Sequence, residues 1–218
     1  MAVSHLLFDL DGTLTDPAEG ITNCVEYALE KFDIHPSSKE ELYPYIGPPL
    51  TYSFTNYHGL SQSNAEQAVA YYRERFSKKG LFENQVYEGI TELLGELQNQ
   101  GIQLIVATSK PEEFANRILE HFGLAQHFAF VAGCTLSGLR PEKTNVIAYV
   151  REQYPDINAE NTLMIGDRKF DIEGAHACGL PAVGVLYGYG DRAEMEAAKA
   201  DFIVTTVEEL REFLFRCI

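Results

Sequence analysis

The chain has 218 residues, 45% of them hydrophobic, 11% aromatic and 22% charged. That is enough apolar content for one full domain, or a core domain carrying an insertion, and too much for a disordered chain. Its 17 Lys and Arg stand against 32 Asp and Glu, a formal net charge of −15, which repels a nucleic-acid backbone and disfavours a DNA or RNA polymer as partner. No apolar run is long enough for a bilayer, and MAVSHLLFDLDG lacks the basic segment and long apolar stretch of an export signal. Four separated cysteines (Cys24, Cys134, Cys178 and Cys217), with no CxxC pair, predict reduced thiols and a cytoplasmic protein.

The first predicted strand is 4–8 (SHLLF). From 17 to 83 the pattern turns helical: Ile21, Val25, Ala28, Leu29 and Phe32 fall at helical spacing, as do Ala65, Ala68, Val69, Tyr72 and Phe76. After that block, predicted strands alternate with amphipathic helices. The strands are 103–107 (QLIVA), 129–132 (AFVA), 162–165 (TLMI), 181–185 (PAVGV) and 202–204 (FIV). The helices are 90–100, 112–122, 144–153, 172–178 and 207–215. This alternation predicts an α/β fold, a parallel sheet with helices on both faces. The expected division is a core of 1–16 and 84–218 with an inserted helical domain of 17–83. Open parallel sheets bind ligands outside the carboxyl ends of their strands, so an insertion placed after the first strand is expected to cover such a site.

The strongest chemical signal is Asp9-Leu10-Asp11-Gly12-Thr13-Leu14, directly after an apolar strand. Carboxylates at i and i+2 on extended backbone point the same way, and two of them repel unless a cation or shared proton intervenes. An isolated DxD is more often a solvated acidic turn; the strand before it and the DGT turn after it argue against that here. A second strand ends in Gly166-Asp167, with Asp171 four residues on. Read as helical, that spacing puts both acids on one face, and N-capping alone does not account for two acids beside a strand end. Convergent carboxylate oxygens are what Mg²⁺ prefers. A third strand ends in Thr108-Ser109-Lys110-Pro111, where a hydroxyl and free N–H groups make a phosphate clamp or an ordinary helix cap. Finally, Arg140-Pro141-Glu142-Lys143 opens a helix, where either cation can reach a phosphoryl group, although a single basic residue is more often an ordinary surface charge.

Together these segments resemble the four motifs of the haloacid-dehalogenase-like hydrolase superfamily: DLDGTL, a strand ending in Thr or Ser, a helix-start Lys, and GDxxxD. The helical block resembles that superfamily's first type of cap. YIGPPL, ATSKP, GDRKFDI and VLYGYG are most similar to its phosphoglycolate-phosphatase-like or bacterial 5′-nucleotidase-like branch. The resemblance implies a Rossmann-like core and a Mg²⁺-dependent phosphomonoesterase working through an aspartyl phosphate. It implies Asp9 as nucleophile, Asp11 as general acid/base, and Thr108 and Lys143 as holders of the phosphoryl group, with backbone groups of Leu10, Asp11 and Ser109 adding to that cradle. It implies a metal held by Asp9, the Asp11 carbonyl and Asp167, with Asp171 in support. Where many relatives carry KPxP this chain has Arg140-Pro141-Glu142-Lys143, so Arg140 stays open beside the preferred Lys143.

Rival functions fit less well. A dehalogenase does not use the second Asp of DxD, and a phosphomutase of the β-phosphoglucomutase type carries a His where this chain has Ile21. A non-catalytic phosphate-binding module would be expected to have lost one of the acids. His58, His121 and His127 lack metal-ligand spacing and are expected at the surface or in packing. Lys110 either contacts substrate or, as is more usual for a lysine at a helix start, is solvated, and Gly188-Tyr189-Gly190 is expected to form a mobile loop with no chemistry assigned. Substrate choice is expected from the insertion, around 45–49, where Tyr45, Tyr52, Phe54 and Tyr57 either stack on a ligand or pack between helices. The expected partner is a small phosphorylated metabolite, and the expected state a monomer.

Overall fold

His5–Phe8 form strand β1, and all four residues are buried. A run with no exposed face suits a strand covered on both sides. The computed structural model describes residues 3–218. Two short strands follow in the chain, β2 (Thr15–Asp16) and β3 (Gln85–Val86). The main sheet is completed by β4 (Gln103–Pro111), β5 (Phe130–Cys134), β6 (Thr162–Gly166), β7 (Ala182–Val185) and β8 (Phe202–Val204). Its order is β5-β4-β1-β6-β7-β8, and every pairing is parallel. The chain therefore grows outward from β1 on one side, through β4 to β5, and then on the other, through β6 to β8. That is the doubly wound order, whose switch point lies between β1 and β6, and ligands of such sheets bind at the strands' carboxyl ends there.

Two compact units result: residues up to Asp16 with Val86–Ile218, and Pro17–Gln85. The second holds α1 (Ala18–Glu30), α2 (Leu50–His58) and α3 (Gln62–Arg75). Helix α1 buries Ile21, Val25, Ala28 and Leu29, and α3 buries Ala65, Ala68 and Tyr72, the apolar faces that the spacing predicts. Within this unit the Arg75 guanidinium forks onto the Glu83 carboxylate at 2.6 and 2.8 Å.

The sheet unit carries α4 (Ile90–Asn99), α5 (Glu112–His121), α6 (Lys143–Gln153), α7 (Lys169–Ala177), α8 (Arg192–Ala197) and α9 (Val207–Cys217). Leu7, Ile105, Ala107 and Met164 of the strands pack with Val146, Ile147 and Val150 of α6 and with Ile172 and Ala175 of α7. Alternation sends Leu6 and Phe8 to the opposite face, where they are also buried. The periodicity left out α8, which is short and buries one residue, Met195. α7 begins at Lys169, three residues before the start that the spacing predicts, because two of the first three residues, Lys169 and Asp171, are charged. Among the described residues no helix is long and apolar enough to cross a membrane.

Candidate active site

β1 stops at Phe8, so Asp9-Leu10-Asp11 lie in the bend beyond it. Asp9 stays on the strand line because its N–H donates to the Ile165 carbonyl of β6 at 2.9 Å. The Leu10 N–H donates to Asp9 Oδ1 at 2.8 Å and orients that carboxylate. The buried Leu10 offers its carbonyl to the N–H groups of Leu14 (2.9 Å) and Thr15 (3.0 Å), closing the turn. Gly12 has φ +82° and sits where a Cβ would collide with the Asp167 carboxylate, so both backbone and space demand glycine there.

β6 delivers Asp167 to the other side of the switch point. Asp167 is fully buried. Tyr189 N–H donates to its Oδ2 at 2.9 Å, and the Thr13 hydroxyl approaches its Oδ1 at 3.4 Å. The expectation that Asp167 and Asp171 share a helix face is corrected: α7 begins at Lys169, so Asp167 precedes it. Asp171 is the third residue of that helix, and its Oδ2 accepts the Arg168 N–H at 3.0 Å. The two acids meet because a strand end and a first helical turn fold over one point. Carboxylate oxygens of Asp9, Asp167 and Asp171 all lie within 4.8 Å of one another, and all three residues are buried.

One cation joins them. Lys143 opens α6 and is buried; its Nζ lies 3.0 Å from Asp9 Oδ1 and 2.6 Å from Asp171 Oδ1, and donates to the Ala107 carbonyl at 2.8 Å. Arg140 goes elsewhere. Its guanidinium donates to the Gly133 carbonyl at 2.9 Å, pairs with Glu112 at 3.0 Å and lies 4.0 Å from the centre of the Tyr149 ring. Of the two open candidates, the fold brings Lys143 to Asp9.

Three other expectations change. β4 runs on through Pro111, with an irregular register after Ala107, so Thr108, Ser109 and Lys110 belong to the strand. Thr108 is buried and its Oγ1 accepts the Lys110 N–H at 3.2 Å; Ser109 is half-buried. Lys110 is not solvated: only 8% exposed, it sets Nζ 2.7 Å from Asp11 Oδ2, while the buried Asp11 Oδ1 has no hydrogen-bond partner. The loop expected at Gly188-Tyr189-Gly190, with no chemistry assigned, reaches the site. Besides the Tyr189 bond to Asp167, the Tyr187 hydroxyl donates to the Thr13 carbonyl at 3.1 Å and the Tyr189 hydroxyl bonds the Asp16 carboxylate. A Cβ on Gly188 would run into the Gly12 carbonyl and the Asp167 side chain. The YGYG pattern after a strand carried that signal, since glycines flanking a residue mark close backbone approach.

The histidines stay out of the cluster. His58 bonds the Tyr45 hydroxyl at 2.7 Å, His127 pairs with Gln98 at 2.7 Å, and His121 packs edge-on against Phe122. Of the four aromatics in the helical unit, Tyr45 and Phe54 are buried, whereas Tyr52 and Tyr57 are 51% and 43% exposed.

Burial without enough positive charge strains these acids. Asp167 is pushed well above the usual carboxylate range, by burial first and then by the charges of Asp171 and Asp9. Burial raises Asp171 to about 6 although Lys143 pulls it down. Burial also raises Asp11, against the pull of Lys110. Burial depresses the Lys143 ammonium, but Asp171 and Asp9 outweigh it and the net shift is upward. Three buried carboxylates sharing one ammonium form a hard, oxygen-only donor set with excess negative charge, and that fits Mg²⁺ or a similar divalent cation.

A doubly wound sheet with convergent acids at its switch point, plus an inserted helical unit, defines a class of phosphate-handling hydrolase. The profile of the haloacid dehalogenase-like hydrolases matches residues 6–185, and the chain belongs to that family. It is 42% identical over 210 residues to a 5′-nucleotidase of Pseudomonas aeruginosa, covering 96% of this chain and 95% of that protein. It is 40% identical over 212 residues to the tyrosine-protein kinase PtkA of Mycobacterium tuberculosis, covering 96% of this chain and 72% of that one. Among solved structures, a predicted phosphatase from Clostridium acetobutylicum superposes with a TM-score of 0.96 at 45% identity, over 99% of this chain and 100% of that one.

Proposed function

We propose that the protein is a Mg²⁺-dependent phosphomonoesterase that hydrolyses a small phosphorylated metabolite through an aspartyl phosphate on Asp9. The observation that carries this reading is the buried meeting of Asp9 with Asp167, Asp171 and Lys143 at the switch point. Asp9, the Asp11 carbonyl and Asp167 would hold the ion, with Asp171 in support. When bound, the ion neutralises charge on the carboxylates and on the phosphoryl oxygens.

The chain's own residues then divide the work. Asp9, oriented by the Leu10 N–H, attacks phosphorus in line. Repulsion between a carboxylate and a phosphate dianion opposes that attack, and the Lys143 ammonium offsets it from 3.0 Å away. The Thr108 hydroxyl and the backbone N–H groups of Asp11 and Ser109 hold the equatorial oxygens, whereas the Leu10 N–H, expected in the same cradle, is taken by Asp9 Oδ1. Asp11 gives a proton to the departing alkoxide and takes one from the water that then attacks the aspartyl phosphate. Burial raises its pKa against the pull of Lys110, the direction a proton donor needs.

Residues 17–83 act as a cap that selects the substrate, with 1–16 and 84–218 as the catalytic core; the exposed rings of Tyr52 and Tyr57 offer faces for a base or sugar. A nucleoside 5′-monophosphate and phosphoglycolate are the leading substrates, in line with the names of the relatives. A mutase reading is disfavoured because Ile21 is buried in α1 where a mutase presents a catalytic His. A monomer suffices, because every residue assigned to the chemistry comes from one chain.

The test is Mg²⁺-dependent phosphate release from an aryl phosphate, followed by a panel of phosphate monoesters ranked by kcat/KM. Asp9→Asn is expected to abolish turnover. Single-turnover release by that variant at the wild-type rate overturns the mechanism.

A further inference from the structure

From the Lys110 contact we infer that this residue is a positioning residue, which dictates which oxygen of Asp11 meets the leaving group. The inference rests on the assignment of Asp11 as general acid. A carboxyl group has two equivalent oxygens, and proton delivery to an ester needs one of them to face the bridging oxygen. Lys110 removes the equivalence. Its Nζ holds Oδ2 at 2.7 Å, whereas Oδ1 is buried and has no hydrogen-bond partner. With Oδ2 tied, rotation about the Asp11 side chain is blocked and Oδ1 is the atom left to do chemistry.

In the first step the proton leaves Asp11 Oδ1 for the bridging ester oxygen as the P–O bond breaks and its electron pair moves onto that oxygen. The free alcohol departs and Asp11 becomes a carboxylate. In the second step Oδ1 recovers a proton from the attacking water as the aspartyl phosphate opens. Lys110 gives up no proton in either step. It is placed to do this because β4 continues past Thr108: alternation along an extended backbone puts Thr108 and Lys110 on one face, two residues apart. A helix starting at Ser109 would have turned the lysine away.

The test separates positioning from phosphate binding by varying the leaving group. An alkyl phosphate needs a proton delivered to its leaving oxygen, whereas p-nitrophenyl phosphate expels a stable phenolate and needs little help. First-turnover release of each alcohol is measured for wild type and Lys110→Met, together with KM for both esters. The variant is expected to slow the alkyl ester roughly 10–100-fold more than the aryl ester, the scale of general-acid assistance, with similar KM values for the two. If it unfolds, Lys110→Gln carries the same comparison, since its amide still donates to Oδ2, and a smaller but same-signed drop in the alkyl-to-aryl ratio is expected. An equal slowing of both esters, or a KM increase shared by both, overturns the inference and makes Lys110 a phosphate ligand. No change on either ester overturns it as well. An Asp9→Asn control that still releases alcohol from both esters marks failure of the underlying mechanism instead.

Discussion

Asp167→Asn is expected to make the metal-free protein more stable while destroying its response to magnesium. Asp167 is fully buried, and its carboxylate lies within 4.8 Å of those of Asp9 and Asp171. Unit charges at that distance repel by about 3.5 kcal/mol for each pair at an effective dielectric constant of 20. Lys143 lies 3.0 Å from Asp9 and 2.6 Å from Asp171, so its charge is spent mainly on those two. Burial and the neighbouring charges raise the Asp167 carboxyl well above its ordinary value, so part of this cost is relieved wherever it takes up a proton. The amide removes the charge without leaving an orphan: its oxygen takes the Tyr189 N–H, and its NH₂ finds the Thr13 hydroxyl, the two groups that bond the carboxylate now. The net gain is about 2 kcal/mol, or about 4–8 °C in Tm for a chain of this length. A carboxylate raised in the folded state costs nothing at low pH and progressively more as pH climbs through its titration, so the variant's advantage grows with pH. The assay is thermal unfolding in a chelator and then across a Mg²⁺ titration. Wild type gains about 2.7 kcal/mol when the ion reaches a hundredfold excess over Kd, and the variant gains far less, so the order of stability reverses. A variant less stable than wild type in chelator at pH 8, or equal stabilisation of both by magnesium, refutes the reasoning.

Lys143→Met strips the buried acids of their ammonium. In chelator it is expected to cost about 3–5 kcal/mol in unfolding free energy, the usual result of orphaning a buried charge, with kcat lowered about 10²–10³-fold. Arg140→Ala is the matched control: it loses a half-buried pair with Glu112 and a ring contact with Tyr149, so it should lose about 1 kcal/mol and keep kcat/KM. Activity tracking Arg140 instead would reverse the assignment of the cation. Gly188→Ala places a methyl against the Gly12 carbonyl and the Asp167 side chain. It is expected to lower Tm by an amount equivalent to about 1–3 kcal/mol and to weaken magnesium binding, read by calorimetry; unchanged affinity would show that the loop does not set Asp167.

How legible these features were depended on how local they are. The strands of the sheet and the apolar faces of α1 and α3 show in the chain because burial imposes a period on neighbouring residues. DLDGTL and GDxxxD announce their acids for a similar reason, since strand ends and tight turns need particular residue types. Lys110 did not announce itself. A lysine before a proline and a helix is ordinarily solvated, and only the extension of β4 by several residues buries this one. Arg140 and Lys143 stand three apart at a helix start, and residue type and spacing leave both open although the family pattern favours Lys143. They separate because the chain turns at Arg140, with φ +55°, and sends its guanidinium to Glu112. Gly188-Tyr189-Gly190 reads as a mobile loop because its contacts with Asp167 are made by a backbone N–H and by the room a glycine leaves, neither of which has a sequence period.

Sequence by itself determined that this is an alternating α/β chain with an inserted helical stretch and acids at two strand ends, because each of those properties is written in residues close to one another. Tertiary structure decided which cation faces Asp9, which oxygen of Asp11 is left open, and what holds Asp167 in place. Those contacts join residues from 22 to 154 positions apart, and the order in which strands pair across the switch point brings them within hydrogen-bonding distance.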